Sequence, residues 1–243
     1  QDLLAAAEHV LPAQAPAEQR HNLHLLKREL ARQSRLEPAL VGAIAQAQAE
    51  GYSRWQEAKQ RNDFGLFAPA LQRLIELRLE QAQQLAPVEI QADGRARSAW
   101  EILAQPFESD ISKQQLTALL LPLRELLPPL LERARSLPSG SSEAWDLSEA
   151  QQESLCTDLL LNWGYNQERC QRAHSPHPFS CTLGPDDFRI TTRVVEGQPF
   201  SAFLATAHEW GHSLYEQGLP RSGEHWFPWP LGEATSMAVH ESH

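Results

Sequence analysis

Apolar residues recur along this chain at steps of three and four, the period at which a helix lines up one face. Leu71, Ile75, Leu79, Ala82 and Ala86 keep that period while Glu76, Glu80 and Gln83 fall elsewhere on the wheel, which predicts an amphipathic helix. Leu23, Leu26 and Leu30 repeat the pattern, as do Val41, Ile44, Ala45 and Ala49, a run that Gly51 is expected to close. Ser148 and Gln151 form a capping-box pair ahead of Leu155, Leu159 and Leu160. Residues 116–131 are rich in leucine but interrupted by Pro122, Arg124, Glu125, Pro128 and Pro129, so the stretch is too broken to span a bilayer and reads as a buried helix. A period of two appears where Phe188, Ile190, Thr192 and Val194 alternate with Arg189, Thr191, Arg193 and Val195, which predicts a strand with a polar face. The expected fold is mainly α, a multi-helix arrangement with a short β-strand element.

The Pro-Ser-Gly-Ser-Ser run at 138–142 is the clearest flexible connection. It divides a helical region, 1–137, from a region, 143–243, that holds every motif with chemical content; it also fits a surface loop within one continuous domain. In the second region a helix is expected over 201–217, stopped by Gly218 and Pro220. A further helix follows Gly232 and carries Ala234, Met237, Ala238 and Glu241 along one stripe.

The first of these two helices contains His208-Glu209-Trp210-Gly211-His212. Residues four apart share a helix face, so both imidazoles can bind one metal ion. Glu209, rotated by about a hundred degrees from His208, stands beside that ion as a general base for activated water. A chain of this His and Glu content shows the five-residue pattern by chance in about 4 per cent of cases, so its surroundings must decide. A zinc hydrolase needs a third protein ligand and leaves a position for water. Glu216, one turn past His212, would have to bend back and is set aside as a ligand. Glu224 and His225, in the Pro-, Gly- and aromatic-rich segment 223–230, remain open, and Glu241 on the stripe of the following helix is the best third ligand.

Together these residues resemble the Taq-type metallocarboxypeptidases, in which an HExGH helix is followed by Gly-Glu-Ala and then by His-Glu-Ser. Here the segments are 208–212, 232–234 and 240–242. Upstream, His177-Pro178-Phe179 matches the family's His-Pro-Phe motif and Asp187-Phe188-Arg189-Ile190-Thr191 its Asp-x-Arg-x-Thr motif. The segment 55–71, with Ala58, Arg61-Asn62-Asp63-Phe64 and Pro69, is similar to a helical region of the same family. The resemblance implies a helical metallopeptidase fold with a strand beside the active-site helix. It implies Glu209 as catalytic base, His208, His212 and Glu241 as metal ligands, and His177, Asp187, Arg189 and Thr191 as substrate-binding residues. The implied cofactor is zinc, with cobalt or manganese as alternatives, and the implied substrate is a peptide with a free C-terminus. A homodimer is left open. Two later family motifs, one supplying an arginine for the substrate carboxylate, have no counterpart here, so the resemblance also implies an internal fragment, roughly half of a full-length member.

The strand residues carry two readings of their own. Side chains two apart share a face, so Arg189, Thr191 and Arg193 can line a cleft edge that receives an extended peptide; equally, an arginine pairs with Asp186 or Asp187 and fixes the loop. His174, His225 and His240 are read as structural, His240 at most as a partner behind the ligands.

A composition of 42% hydrophobic and 21% charged residues suits a soluble enzyme with a substantial core. The net charge of −10, without a Lys/Arg cluster, argues against nucleic acid or an anionic membrane as partner. Cys156, Cys170 and Cys181 are odd in number and widely spaced, which fits reduced thiols in a cytoplasm. An oligopeptidase using the same helix and a catalytically inactive helical fragment are the alternatives to a carboxypeptidase.

Overall fold

The computed structural model describes residues 2–11, 14–90, 94–137, 147–220 and 229–242. The chain divides into two compact units, Gln1–Leu119 and Leu120–His243. The division falls inside a helix, and the connection expected at 138–142 lies outside the described residues.

The first unit contains α1 (Asp2–Val10), α2 (Ala17–Gln33), α3 (Pro38–Arg61), α4 (Ala68–Leu85) and α5 (Ala99–Ala104). Proline opens α3 in its first turn, where a missing N–H leaves nothing unpaired. The helix does not close at Gly51, which is buried within it; it closes at Asn62, whose backbone takes the left-handed conformation (φ 48°) that stops a helix and that Asn tolerates. Leu40 and Ile44 pack with Leu77, and Ala82 and Leu85 pack with Ile102. The buried face of α4 is thus Leu77, Ala82 and Leu85, while Ile75 and Leu79 of the expected stripe are 45% and 47% exposed. Periodicity offers an apolar stripe, and the packing of α3 and α5 selects the part of it that leaves water.

A sixth helix, α6 (Lys113–Ser136), runs unbroken through Pro122, Pro128 and Pro129 and spans the division between the units. The expectation of a buried helix is overturned: none of its residues is buried, and Leu119 is 71% and Leu126 64% exposed. A leucine-rich run can specify a helix, but burial requires an element packed on it.

The second unit contains α7 (Glu149–Asn162), β1 (Cys170–His174), β2 (Ser180–Gly184), β3 (Asp187–Thr192), α8 (Pro199–Gly218) and α9 (Met237–Glu241). The strands form one sheet in the order β1-β3-β2, with β1 parallel and β2 antiparallel to β3. The expected strand is β3, which ends at Thr192. Its polar face is only partly polar in effect, because Thr191 is buried along with Phe188, Ile190 and Thr192. The capping box of Ser148 and Gln151 starts α7 as expected. The last helix is shorter than its pattern: Gly232 belongs to a 3-10 turn, and α9 begins only at Met237. Ser236 explains the delay, because its extended backbone lets its hydroxyl accept from the Val239 N–H at 3.2 Å, which makes it a cap rather than a helical residue.

In the first unit, Glu101 is buried at the start of α5 and accepts from the Ser98 N–H at 2.8 Å, the Ser98 hydroxyl at 2.8 Å and the Lys113 N–H at 2.9 Å. The main-chain N–H groups of Ser98 and Lys113, then the Ser98 hydroxyl, hold its carboxyl down from 4.5 to about 2. A depressed carboxylate stabilises the fold above its unfolded value and ceases to do so as the pH falls through its folded value. Glu101→Gln is therefore expected to lower unfolding free energy by about 2 kcal/mol at neutral pH. In urea titrations, the gap from the parent should close between pH 4.5 and about 2; a constant gap over that range would rule out the ionised carboxylate as its source.

Candidate metal centre

The placement of this site begins with Trp210. Its indole is 0% exposed and packs with Leu160, Cys170, Phe188 and Ile190, in contact with α7, β1 and β3. Its Nε1 donates to the Trp163 carbonyl at 3.0 Å, and Tyr165 packs at 5.2 Å between ring centres. Thr206 donates its hydroxyl to that of Thr192 at 2.9 Å, and Thr192 in turn donates to the Ala202 carbonyl at 3.3 Å. These buried contacts leave α8 one rotation about its axis.

With that rotation set, His208 and His212 project together. Their Nε2 atoms are 3.1 Å apart, and Glu241 Oε2 lies 3.7 Å from the first and 3.8 Å from the second. Ligands about 2.0–2.1 Å from a tetrahedral ion are separated by about 3.4 Å, close to each edge of this triangle. The donors, two imidazole nitrogens and one carboxylate oxygen, suit a divalent transition metal. The side chains of His208 and Glu241 are 53% and 52% exposed and that of His212 only 10%, so the triangle is closed on its inner side and open on its outer one.

Burial pulls the His212 imidazole below its ordinary pKa, with His240 and His208 acting in the same direction, so the ring is held neutral, the form that coordinates a metal. Glu209 is buried beside the pair, and that burial pushes its carboxyl above the usual carboxylate range. Electrostatic interaction with the His208 and His177 side chains, and a hydrogen bond with Ser180, pull the other way.

Glu241 arrives on α9, which is tied to α8 at several points. The Tyr215 hydroxyl accepts from the Thr235 N–H at 3.3 Å. His240 places Nδ1 at 2.6 Å from His212 Nδ1 and Nε2 at 3.2 Å from Glu216 Oε1, with the Tyr215 ring edge-on at 4.8 Å. Ser180 on Glu209 was not visible in the sequence, where nothing distinguishes it from any strand serine. Glu216 carried a signal: it is four residues past His212, on the same helix face.

The strand residues are engaged within the protein. Arg189 grips Asp187 with two bonds of 2.8 Å. Thr191 shares a 2.7 Å bond with Ser175 and accepts from the Phe179 N–H at 2.9 Å, and Arg193 donates to the Pro176 carbonyl at 3.3 Å. Thr191 and Arg193 thus hold the segment that carries His177, the residue of the expected substrate-binding set that interacts electrostatically with Glu209. His174 pairs with Glu153 at 2.7 Å, and Glu224 and His225 lie outside the described residues.

A mainly helical fold carrying an HExxH helix is an architecture of metallopeptidases. The chain belongs to the carboxypeptidase Taq (M32) metallopeptidase family, whose model matches residues 1–243. It is 37% identical over 212 residues to thermostable carboxypeptidase 1 of Thermus thermophilus, a match covering 84% of this chain and 40% of that protein. Carboxypeptidase 1 of Bacillus subtilis is 31% identical over 193 residues, covering 77% and 36% respectively. The solved M32 carboxypeptidase of Deinococcus radiodurans superposes with a TM-score of 0.79 at 28% identity, over 99% of this chain and 46% of that one. The chain thus spans about 40% of the length of the curated relatives it matches. Membership of a metallopeptidase family implies a metal cofactor, and among the described residues no helix is long and apolar enough to cross a membrane.

Because Trp210 anchors α8, Trp210→Ala is expected to lower the stability of the second unit by about 3–5 kcal/mol through the cavity it leaves. Chemical denaturation should register that loss; a change below about 1 kcal/mol, the size of an ordinary surface substitution or slightly more, would show that the indole does not fix the helix.

Proposed function

We propose that this chain carries the zinc centre of a carboxypeptidase, with His208, His212 and Glu241 as protein ligands and Glu209 as general base. The triangle of donor atoms beside a buried glutamate is the observation that supports this most. Cobalt or manganese would satisfy the same donors. When bound, the ion supplies Lewis acidity that acidifies water and polarises a peptide carbonyl.

Glu209 takes the proton of the attacking water on its carboxylate, and burial, by raising its proton affinity, suits it to that step. The same carboxyl passes the proton to the leaving amine. Ser180 holds the carboxylate in place through its hydroxyl. His177 stands beside Glu209 on a segment held by Thr191 and Arg193, and in this proposal it contacts the peptide, while Asp187 and Arg189 brace the strand edge. A peptide with a free C-terminus is the proposed substrate, in keeping with the relatives' names as carboxypeptidases. A cytoplasmic setting agrees with the three free cysteines.

Elemental analysis should find one metal equivalent in the parent and in Glu209→Gln, and none in Glu241→Ala. In a preparation that hydrolyses peptide, Glu209→Gln should lower kcat by about 10²–10⁴-fold; retention of most of the activity would sink the general-base assignment. A peptide and its C-terminally amidated twin separate the modes of cleavage, since equal cleavage of both would mark an oligopeptidase.

A further inference from the structure

Behind the triangle lie two groups that the hydrolytic steps do not use, His240 and Glu216, joined to it through the Nδ1 of His212. Glu216 sits one turn beyond His212 on α8, and His240 precedes Glu241 on α9. The His240 side chain is 15% exposed and that of Glu216 20%, so neither partnership is an open surface contact.

We infer that Glu216 and His240 are positioning residues that set the tautomer and orientation of His212, so that its Nε2 lone pair faces the metal position. The inference rests on the metal-centre reading above. A carboxylate oxygen accepts hydrogen bonds, so the 3.2 Å contact with Glu216 Oε1 is completed by a proton on His240 Nε2. In a neutral imidazole the other nitrogen then accepts, which makes His240 Nδ1 an acceptor. In that arrangement His212 Nδ1, 2.6 Å away, is the donor. That leaves Nε2 of His212 unprotonated, directed at His208 Nε2 3.1 Å away and at Glu241. Each assignment follows from the one before it, and the series starts at a carboxylate that never touches the ion. The same α9 that delivers Glu241 also brings His240, so ligand and orienting group arrive together. The His240 main chain hydrogen-bonds the His212 ring as well, a contact that side-chain substitutions leave in place.

Competition with a chromophoric chelator measures the zinc dissociation constant of the parent chain and of His240→Phe, His240→Asn and Glu216→Ala. His240→Phe keeps the ring packed against Tyr215 but removes the acceptor, and Glu216→Ala removes the origin of the series; each is expected to weaken zinc by about 10–100-fold. His240→Asn, whose Oδ1 can accept where Nδ1 did, is expected to recover most of the loss. In the cobalt-substituted protein, Glu216→Ala should shift the visible absorption bands although Glu216 is not a ligand. Parent-like affinity in His240→Phe, or equal weakening in His240→Asn and His240→Phe, would overturn the inference and leave the metal centre standing. If His240→Phe does not fold, Glu216→Ala decides: parent-like affinity and an unshifted cobalt spectrum overturn it. Absence of stoichiometric zinc from the parent itself would overturn the metal-centre reading and this inference with it.

Discussion

The burial of one indole governs the geometry of the second unit. Trp210 occupies the centre of the HExxH pentapeptide, and its ring, 0% exposed, is enclosed by residues of α7, β1 and β3. On a helix, fixing the direction of one side chain fixes all the others, because each residue is turned by about a hundred degrees from the last. Once Trp210 points into the core, Glu209 falls at its edge and His208 turns outward, while His212 comes to lie over His208. The triangle of donor atoms is thereby tied to hydrophobic packing, the dominant and least directional of the available forces.

That rotation divides the site into two environments. Inward lie Glu209 and His212, 7% and 8% exposed, in surroundings that disfavour charge on either group. Outward lie His208 and Glu241, each with a side chain about half in water. A hydrolytic site needs both conditions: a low-dielectric wall that alters proton affinity and an opening through which a peptide and water can enter.

The local geometry of this site was legible in the sequence because it depends only on the repeat of the helix: four residues bring His208 and His212 together whatever surrounds them. The capping box at Ser148 and the central strand were legible because they too depend on local spacing, a three-residue step in the one and two-residue alternation in the other. What depended on partners was not. Gly51 looked like a stop, but Asn62 could take the left-handed conformation and the helix ran on to it. The leucines of α6 form a pattern that ordinarily means burial, yet they are exposed. Strands β1 and β2 are five residues each and lack clear alternation, so only their pairing with β3 identifies them. His240 and Glu216 belong to different helices, and no local rule places one against the other.

The distance along the chain between His212 and Glu241 has a thermodynamic meaning of its own. Roughly thirty residues separate them, and an ion held by both ends would close that length into a loop, removing about 3–4 kcal/mol of conformational freedom from the unfolded ensemble. The ion would then be a cross-link as well as a reagent, much as a disulfide is. Helix α9 is five residues long, too short to persist alone, and is retained by a serine cap and by the contacts of His240 with His212 and Glu216 on α8. If an ion is held there, its loss would be felt first as fraying of α9, because none of the buried apolar clusters described above contains one of its donors.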